Sequence, residues 1–193
     1  METSNDHARA ESTTRVPEQL AFVVVVFDPE WDLLALQAKS LGRFADPDLV
    51  SRYLVLDQSD RPMPPRWRRK LAKALGPLED RLEIQTIASS ADGWVQQQVL
   101  KLTVAQQIAQ DAYVVLDAKT HAVSPITRST FFATDGRAHL RRYSYLGHPM
   151  QGRVERTLAW LGQDASLIET DLPGTTTPFV FWTQEVRQLI ESV

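Results

Sequence analysis

Leu20-Ala-Phe-Val-Val-Val-Val-Phe27 carries no polar side chain over eight residues, and from it the fold of the whole chain can be read. A strand with one wet face alternates apolar and polar residues, whereas a strand covered on both faces is apolar throughout, and β-branched valines favour the extended form. The stretch is therefore the centre of a parallel sheet with helices above and below it. It is far too short to span a bilayer. It stops at Asp28-Pro29, after which Trp31, Leu34, Ala35, Ala38 and Leu41 recur at close to a 3.6-residue period. That spacing predicts a helix over 30–44 that returns across the sheet.

The same unit repeats outward from this start. Arg52-Tyr-Leu-Val-Leu-Asp57 is a shorter strand ending in an acid, followed by a loop with Pro62, Pro64 and Pro65 and a helix over 66–75. Leu82-Glu-Ile-Gln-Thr-Ile87 alternates as a third strand would, Asp92-Gly93 opens a helix over 94–109, and Ala112-Tyr-Val-Val-Leu-Asp117 is a fourth strand. Strands alternating with helices predict an α/β fold, an open and mostly parallel sheet with helices on both faces. After His121 the alternation lapses. Ser124-Pro125 and Thr134-Asp-Gly-Arg137 read as turns, 151–161 as a helix, and Phe179 to Trp182 as a short strand entering a last helix at Thr183. Residues 1–18, polar and charged, read as a disordered leader, and 19–193 as one domain expected to lack a further C-terminal portion.

Composition removes several function classes. With 21 basic and 24 acidic residues, a net charge of -3 gives no global attraction to nucleic acid or an anionic membrane, so an anionic ligand must be held by local groups. The absence of cysteine excludes disulfides and thiolate chemistry and fits a cytoplasmic protein. Only eight glycines are present, and neither the dinucleotide fingerprint nor the Walker A pattern can be read, which speaks against a dehydrogenase or NTPase. Serine nucleophile elbows and paired zinc-binding histidines are absent too.

In open parallel sheets ligands gather at the carboxyl ends of strands, and Asp28, Asp57 and Asp117 all sit there. Each could accept from a ribose hydroxyl, a base N–H or a metal ion, or could instead cap a helix or order a turn. The third helix is more telling. On a helical wheel Leu100, Leu102, Val104, Ala105, Ile108, Val95 and Val99 form a wide apolar arc, yet Trp94, Gln98 and Lys101 fall near its middle. A lysine on a buried face needs an anionic partner, either a strand-end Asp or a ligand phosphate. Trp94 could stack on a base or sugar, or belong to the core. The densest cluster is Asp117-Ala-Lys-Thr-His121. If the strand continued, Asp117, Lys119 and His121 would face one side and could bind a diphosphate, through Lys119 or through a metal held by Asp117 and His121.

Strand one ending at Asp28, strand two ending at Asp57, the helix Asp92-Gly-Trp-Val-Gln-Gln-Gln-Val-Leu-Lys101 and the strand ending at Asp117 together resemble bacterial glycosyltransferases of the GT-A superfamily. The resemblance runs from about Phe22 to Trp182, takes in Thr177-Pro-Phe-Val180, and is closest to a family known only as a domain of unknown function. It implies transfer of a sugar from a nucleotide-sugar donor to a hydroxyl of a glycan or glycoconjugate, in a polysaccharide pathway at the cell surface. Such proteins carry an Asp-x-Asp motif for Mn²⁺ or Mg²⁺ and the donor diphosphate. Asp117 matches its first acid, and Lys119 stands in place of the second, so a fixed ammonium could take over the cation's task. Asp28 and Asp57 would lie near the nucleoside, with Gln98 and Lys101 behind the pocket. His148, Asp164, Glu169 and Asp171 are the candidates for the base, which no spacing singles out. The alternatives are a non-catalytic binding or scaffolding member of the fold and another nucleotide-binding α/β protein such as a nucleotidyltransferase.

Two other clusters stand apart from these. Arg61, Arg66, Arg68, Arg69, Lys70 and Lys73 with Trp67 could meet a membrane peripherally or form a solvated helix face. Arg137, Arg141 and Arg142 with Tyr143 and Tyr145 could meet an acceptor.

Overall fold

In the computed structural model, which describes residues 16–88, 93–170, 172–174 and 176–192, four parallel strands form the body of the sheet. They are β1 (Leu20–Val26), β2 (Val50–Asp57), β3 (Leu82–Thr86) and β4 (Ala112–Leu116). A later strand, β7 (Phe179–Trp182), joins antiparallel to β4, giving the order β3-β2-β1-β4-β7. The short strands β5 (Arg142–Tyr143) and β6 (Leu172–Pro173) pair with each other apart from this sheet.

The burial of β1 shows why its sequence is continuously apolar. Leu20, Phe22, Val24 and Val26 enter one core, against α1 (Trp31–Phe44) and α2 (Pro65–Leu75). Ala21, Val23 and Val25 enter the opposite core, with Val104, Ala105 and Ile108 and with Val186 of α6 (Thr183–Ser192). Each valine taken from water contributes on the order of 1.5–3 kcal/mol, so a strand used on both faces contributes heavily to the stability of the sheet. The expected α/β architecture, with helices on both faces, is what the chain adopts. Helices α1 and α2 lie so close that a Cβ at Gly42 would fall inside contact distance of the Leu75 carbonyl, which only glycine permits.

Strand β3 lies at the sheet edge and alternates as its sequence predicts. Leu82 and Ile84 pack on the core, while Glu83 faces the other way and takes the Arg52 guanidinium at 2.7 Å. Two expectations are corrected. The third helix does not run on to Ala109: α3 (Gly93–Thr103) passes into a tighter turn over 104–107. Of the residues 1–18 read as a leader, Val16 packs on the first core and Pro17 is buried, and residues 1–15 lie outside the described residues. Finally, the region after His121 contains the short helix α4 (Arg128–Phe131) and the β5–β6 pair, neither of which its sequence pattern announced. Helix α5 (Gln151–Trp160) is where the sequence placed it. No helix among the described residues is long and apolar enough to cross a membrane.

Candidate functional site

Beyond the carboxyl ends of β1 and β4 lies a chamber of about 490 Å³ lined by Val25, Glu30, Trp94, Gln97, Gln98, Lys101, Asp117, Ala118, Lys119, Met150, Gly174 and Phe179. Five of the residues singled out from the sequence meet there: Trp94, Gln98, Lys101, Asp117 and Lys119. Asp28 lines a neighbouring chamber of about 450 Å³ with Phe27, Gln58, Ser59, Asp60 and Gly93, and the two chambers share Trp94 and Gln97. A third cleft, about 840 Å³ and lined by Tyr145, Arg153, Arg156 and Trp160 among others, meets the first at Trp94 and Met150. Trp94 is thus a common wall. Trp94 is 53% exposed, and the Arg153 guanidinium lies over its ring at 4.5 Å.

The floor of the first chamber is an ion pair. Lys101 Nζ donates to Asp117 Oδ1 at 2.9 Å, with the lysine side chain 11% and the aspartate 30% exposed. The need of a buried ammonium for a counter-charge sets the roll of α3. Lys101 turns inward to Asp117, and Val95 and Val99, which the wheel placed on the apolar arc, are left 45% and 50% exposed.

Asp117-Ala-Lys-Thr-His121 is not a continued strand. Thr120 N–H donates to the Asp117 carbonyl at 2.8 Å and closes a turn, in which Ala118 is buried and Lys119 exposed. The buried Gln37 of α1 fixes it: Gln37 Nε2 donates to the Asp117 carbonyl at 2.7 Å and to the Thr120 carbonyl at 2.8 Å, while Gln37 Oε1 accepts from the Tyr53 hydroxyl. The Thr120 and Thr177 hydroxyls, 2.8 Å apart, tie the turn to the segment before β7. His121 is drawn away toward α1, its Nε2 3.3 Å from the Leu33 carbonyl, so the one-sided triplet expected from strand alternation is not formed.

Asp57 is also corrected, from a nucleoside contact to a structural group. It is fully buried, and its carboxylate accepts from the Ser59 and Met63 N–H groups, the Ser59 hydroxyl and Trp31 Nε1. These bonds shape the loop that carries Gln58, Ser59 and Asp60 to the second chamber.

Glu30 is a site residue that the sequence reading missed. It follows Asp28-Pro29 in a single tight turn, too short for any periodicity to mark, and its carboxyl enters the chamber beside the ion pair. Burial pushes its pKa up, the Phe27 backbone N–H opposes the rise, the Asp117 charge adds to it, and the ammonium groups of Lys119 and Lys101 offset it. None of the described candidate bases reaches this chamber. His148 packs on Tyr143 and Tyr145 and accepts the Met150 N–H at the start of α5, and Asp164 caps the turn over 165–169. Glu169 lines neither chamber, and Asp171 lies outside the described residues.

In the two other clusters a few side chains have partners. Lys70 pairs with Asp32 and stacks on Trp67, and Arg137 pairs with Asp135. Tyr145 donates to the Pro173 carbonyl in the wall of the third cleft.

Residues 14–193 match a family described as of unknown function, DUF6492. The chain belongs to this family. The resemblance read from the sequence also pointed to a family without a known function. No curated protein matches the chain. Among solved structures it is similar to mannosyltransferase PcManGT from Pyrobaculum calidifontis in complex with GDP-Man and Mn²⁺, at 17% identity and a TM-score of 0.42, over 55% of this chain and 29% of that one. It is similar to galactosyltransferase LgtC in complex with donor and acceptor sugar analogs, at 20% identity and a TM-score of 0.40, over 51% and 37% of the two chains. Glycosyltransferase GlyE of Streptococcus pneumoniae TIGR4 in its apo form gives 15% identity and a TM-score of 0.41, over 64% and 27%. The chain spans between 27% and 37% of the length of these three structures, and likenesses at such scores carry no inference about activity.

Does the chamber suit a resident Mn²⁺ or Mg²⁺? Hard cations take several oxygen ligands, and carboxylates supply most of them. Asp117 is already occupied by one ammonium group, a second stands on Lys119, and no group of three His, Cys, Asp or Glu side chains that could hold a metal occurs among the described residues. Among the described residues the donor set of this chamber does not fit a bound divalent ion, and the cations that line it are the ammonium groups of Lys101 and Lys119.

Proposed function

We propose that the chain is a cytoplasmic nucleotide-sugar-binding domain of glycosyltransferase type, passing a sugar to a hydroxyl of a cell-surface glycan or glycoconjugate. The observation that carries this reading is the lysine pair at the end of β4: Lys101 buried on the floor against Asp117, Lys119 exposed at the rim, and Trp94 between this chamber and the next. A nucleoside diphosphate needs such neighbouring sites, one cationic and one with an aromatic wall. The resemblance of these same segments to the GT-A superfamily supports the reading.

On this reading the diphosphate lies against Lys119 and Lys101, the nucleoside enters the chamber of Asp28, and the acceptor approaches along the cleft between α5 and β6. The acceptor oxygen attacks the anomeric carbon as the carbon–oxygen bond to the diphosphate breaks. The leaving charge falls on the two ammonium groups, which are fixed before the reaction starts. The hydroxyl proton passes to the Glu30 carboxylate, which burial makes a stronger base than an exposed glutamate.

Calorimetric titration of UDP, GDP, CDP and ADP, each with and without Mn²⁺, tests this. Binding that is unchanged by Mn²⁺ is expected, together with slow hydrolysis when the matching nucleotide sugar is supplied. Failure of all four nucleotides to bind at millimolar concentration would sink the proposal, while binding without any turnover would favour the non-catalytic alternative.

A further inference from the structure

The second chamber holds a buried donor with no acceptor among the described residues. Gln58 is 6% exposed, and its Nε2 has no hydrogen-bond partner among the described residues. A buried polar group left unpaired costs about 1–3 kcal/mol, so its retention calls for an acceptor that arrives from outside. Gln58 belongs to the wall of the chamber, with the Asp28 and Asp60 carboxylates exposed beside it and the Trp94 ring along one side. Its backbone is held firmly, since Gln58 N–H donates to the Val26 carbonyl at 2.8 Å and the next residue is tied to Asp57.

From this juxtaposition we infer that Gln58 selects the base of the nucleotide and that the site takes a base carrying a carbonyl next to a ring N–H, uracil or guanine. The Gln58 amide donates to the carbonyl oxygen, a carboxylate of Asp28 or Asp60 accepts from the ring N–H, and Trp94 covers a face of the ring. Adenine presents an amine where Gln58 needs a carbonyl. Cytosine presents an unprotonated ring nitrogen where the carboxylate needs a donor. Either would set like polar groups against each other, which is how polar sites reject a wrong partner. The inference rests on the nucleotide-sugar reading and narrows it.

The test compares UDP, GDP, ADP and CDP binding to the full chain and to Gln58→Leu, with Tm recorded for both proteins without nucleotide. UDP or GDP is expected to bind the native chain at least tenfold more tightly than ADP and CDP. The substitution should erase that preference while leaving Tm unchanged or raised, because it removes an unpaired donor from the interior. A group serving only the fold would give the opposite pattern, a lower Tm with the preference intact, and that would overturn the inference. Equal binding of all four nucleotides by the native chain would overturn it as well and leave the nucleotide-sugar reading standing. Absence of binding by any of them would remove both.

Discussion

Tyr53-Leu-Val-Leu-Asp57 and Tyr113-Val-Val-Leu-Asp117 are nearly the same pentapeptide, each running up a parallel strand to an acid at its end, yet the two acids meet different fates. Asp57 is fully buried and surrounded by donors from its own loop and from Trp31. Asp117 is partly exposed to a chamber, and among the described residues its carboxylate holds one partner, Lys101, from a helix. The residues just after each acid decide the difference. Ser59 offers an N–H and a hydroxyl two residues after Asp57, the local pairing by which an Asx turn closes. After Asp117 come Ala118 and Lys119, and the turn there closes on the Asp117 carbonyl, leaving its carboxylate free for a distant cation. One strand end is spent on structure, and the other remains available for chemistry.

The contrast is broken most directly at Asp57. Asp57→Ala strands several buried donors at once and should cost about 3 kcal/mol. For a chain of this size that lowers Tm by roughly 6–12 °C in a calorimetric scan. A loss below about 1 kcal/mol would mean that water replaces the carboxylate and that the β2 end is less committed to structure than its hydrogen bonds indicate.

Much of this division could be read in the sequence. The apolar run of β1 gave the sheet, and a lysine in the apolar arc of α3 required an anion, which the structure supplies in Asp117. The two strand-end acids could not be told apart, because their strands match and the discriminating donors come from side chains with no period. The form of the 117–120 turn depends on Gln37, 80 residues before Asp117 in the chain, and no local pattern reports a contact of that length. Glu30 and Gln58 were hidden for a similar reason. Each stands in a short loop, and only the surrounding elements give it burial.

The ion pair at the β4 end allows a sharper comparison, because its two halves are unequally buried. Asp117→Ala leaves an ammonium group that is 11% exposed without a counter-charge and should cost about 2 kcal/mol. Lys101→Met leaves a carboxylate that water already reaches, at a cost of about 1 kcal/mol or less. Ligand binding should move the other way. The alanine variant frees Lys101 for phosphate and should keep or tighten nucleotide diphosphate binding without metal, whereas the methionine variant should lose it. Were Asp117 a metal ligand, its loss would abolish binding, and the assignment of the lysines as the cation of this site would fail.

The smallest effect concerns Glu30, and its sign depends on pH. Burial holds the folded pKa above the unfolded value of 4.5, so the folded chain binds the proton more tightly. Below that value both states are protonated and the group costs nothing. As pH rises through the raised folded value, a partly buried charge must form, and stability falls. Glu30→Gln removes that fall. The variant should therefore melt above the native chain at pH 8 and level with it below 4.5, while donor turnover is lost and nucleotide binding kept. A variant that melts lower at pH 8 would mean that Lys101 and Lys119 stabilise the Glu30 charge more than burial opposes it. Glu30 would then belong with Asp117 to the ion-pair network, and the chamber would have no carboxylate poised to take a proton.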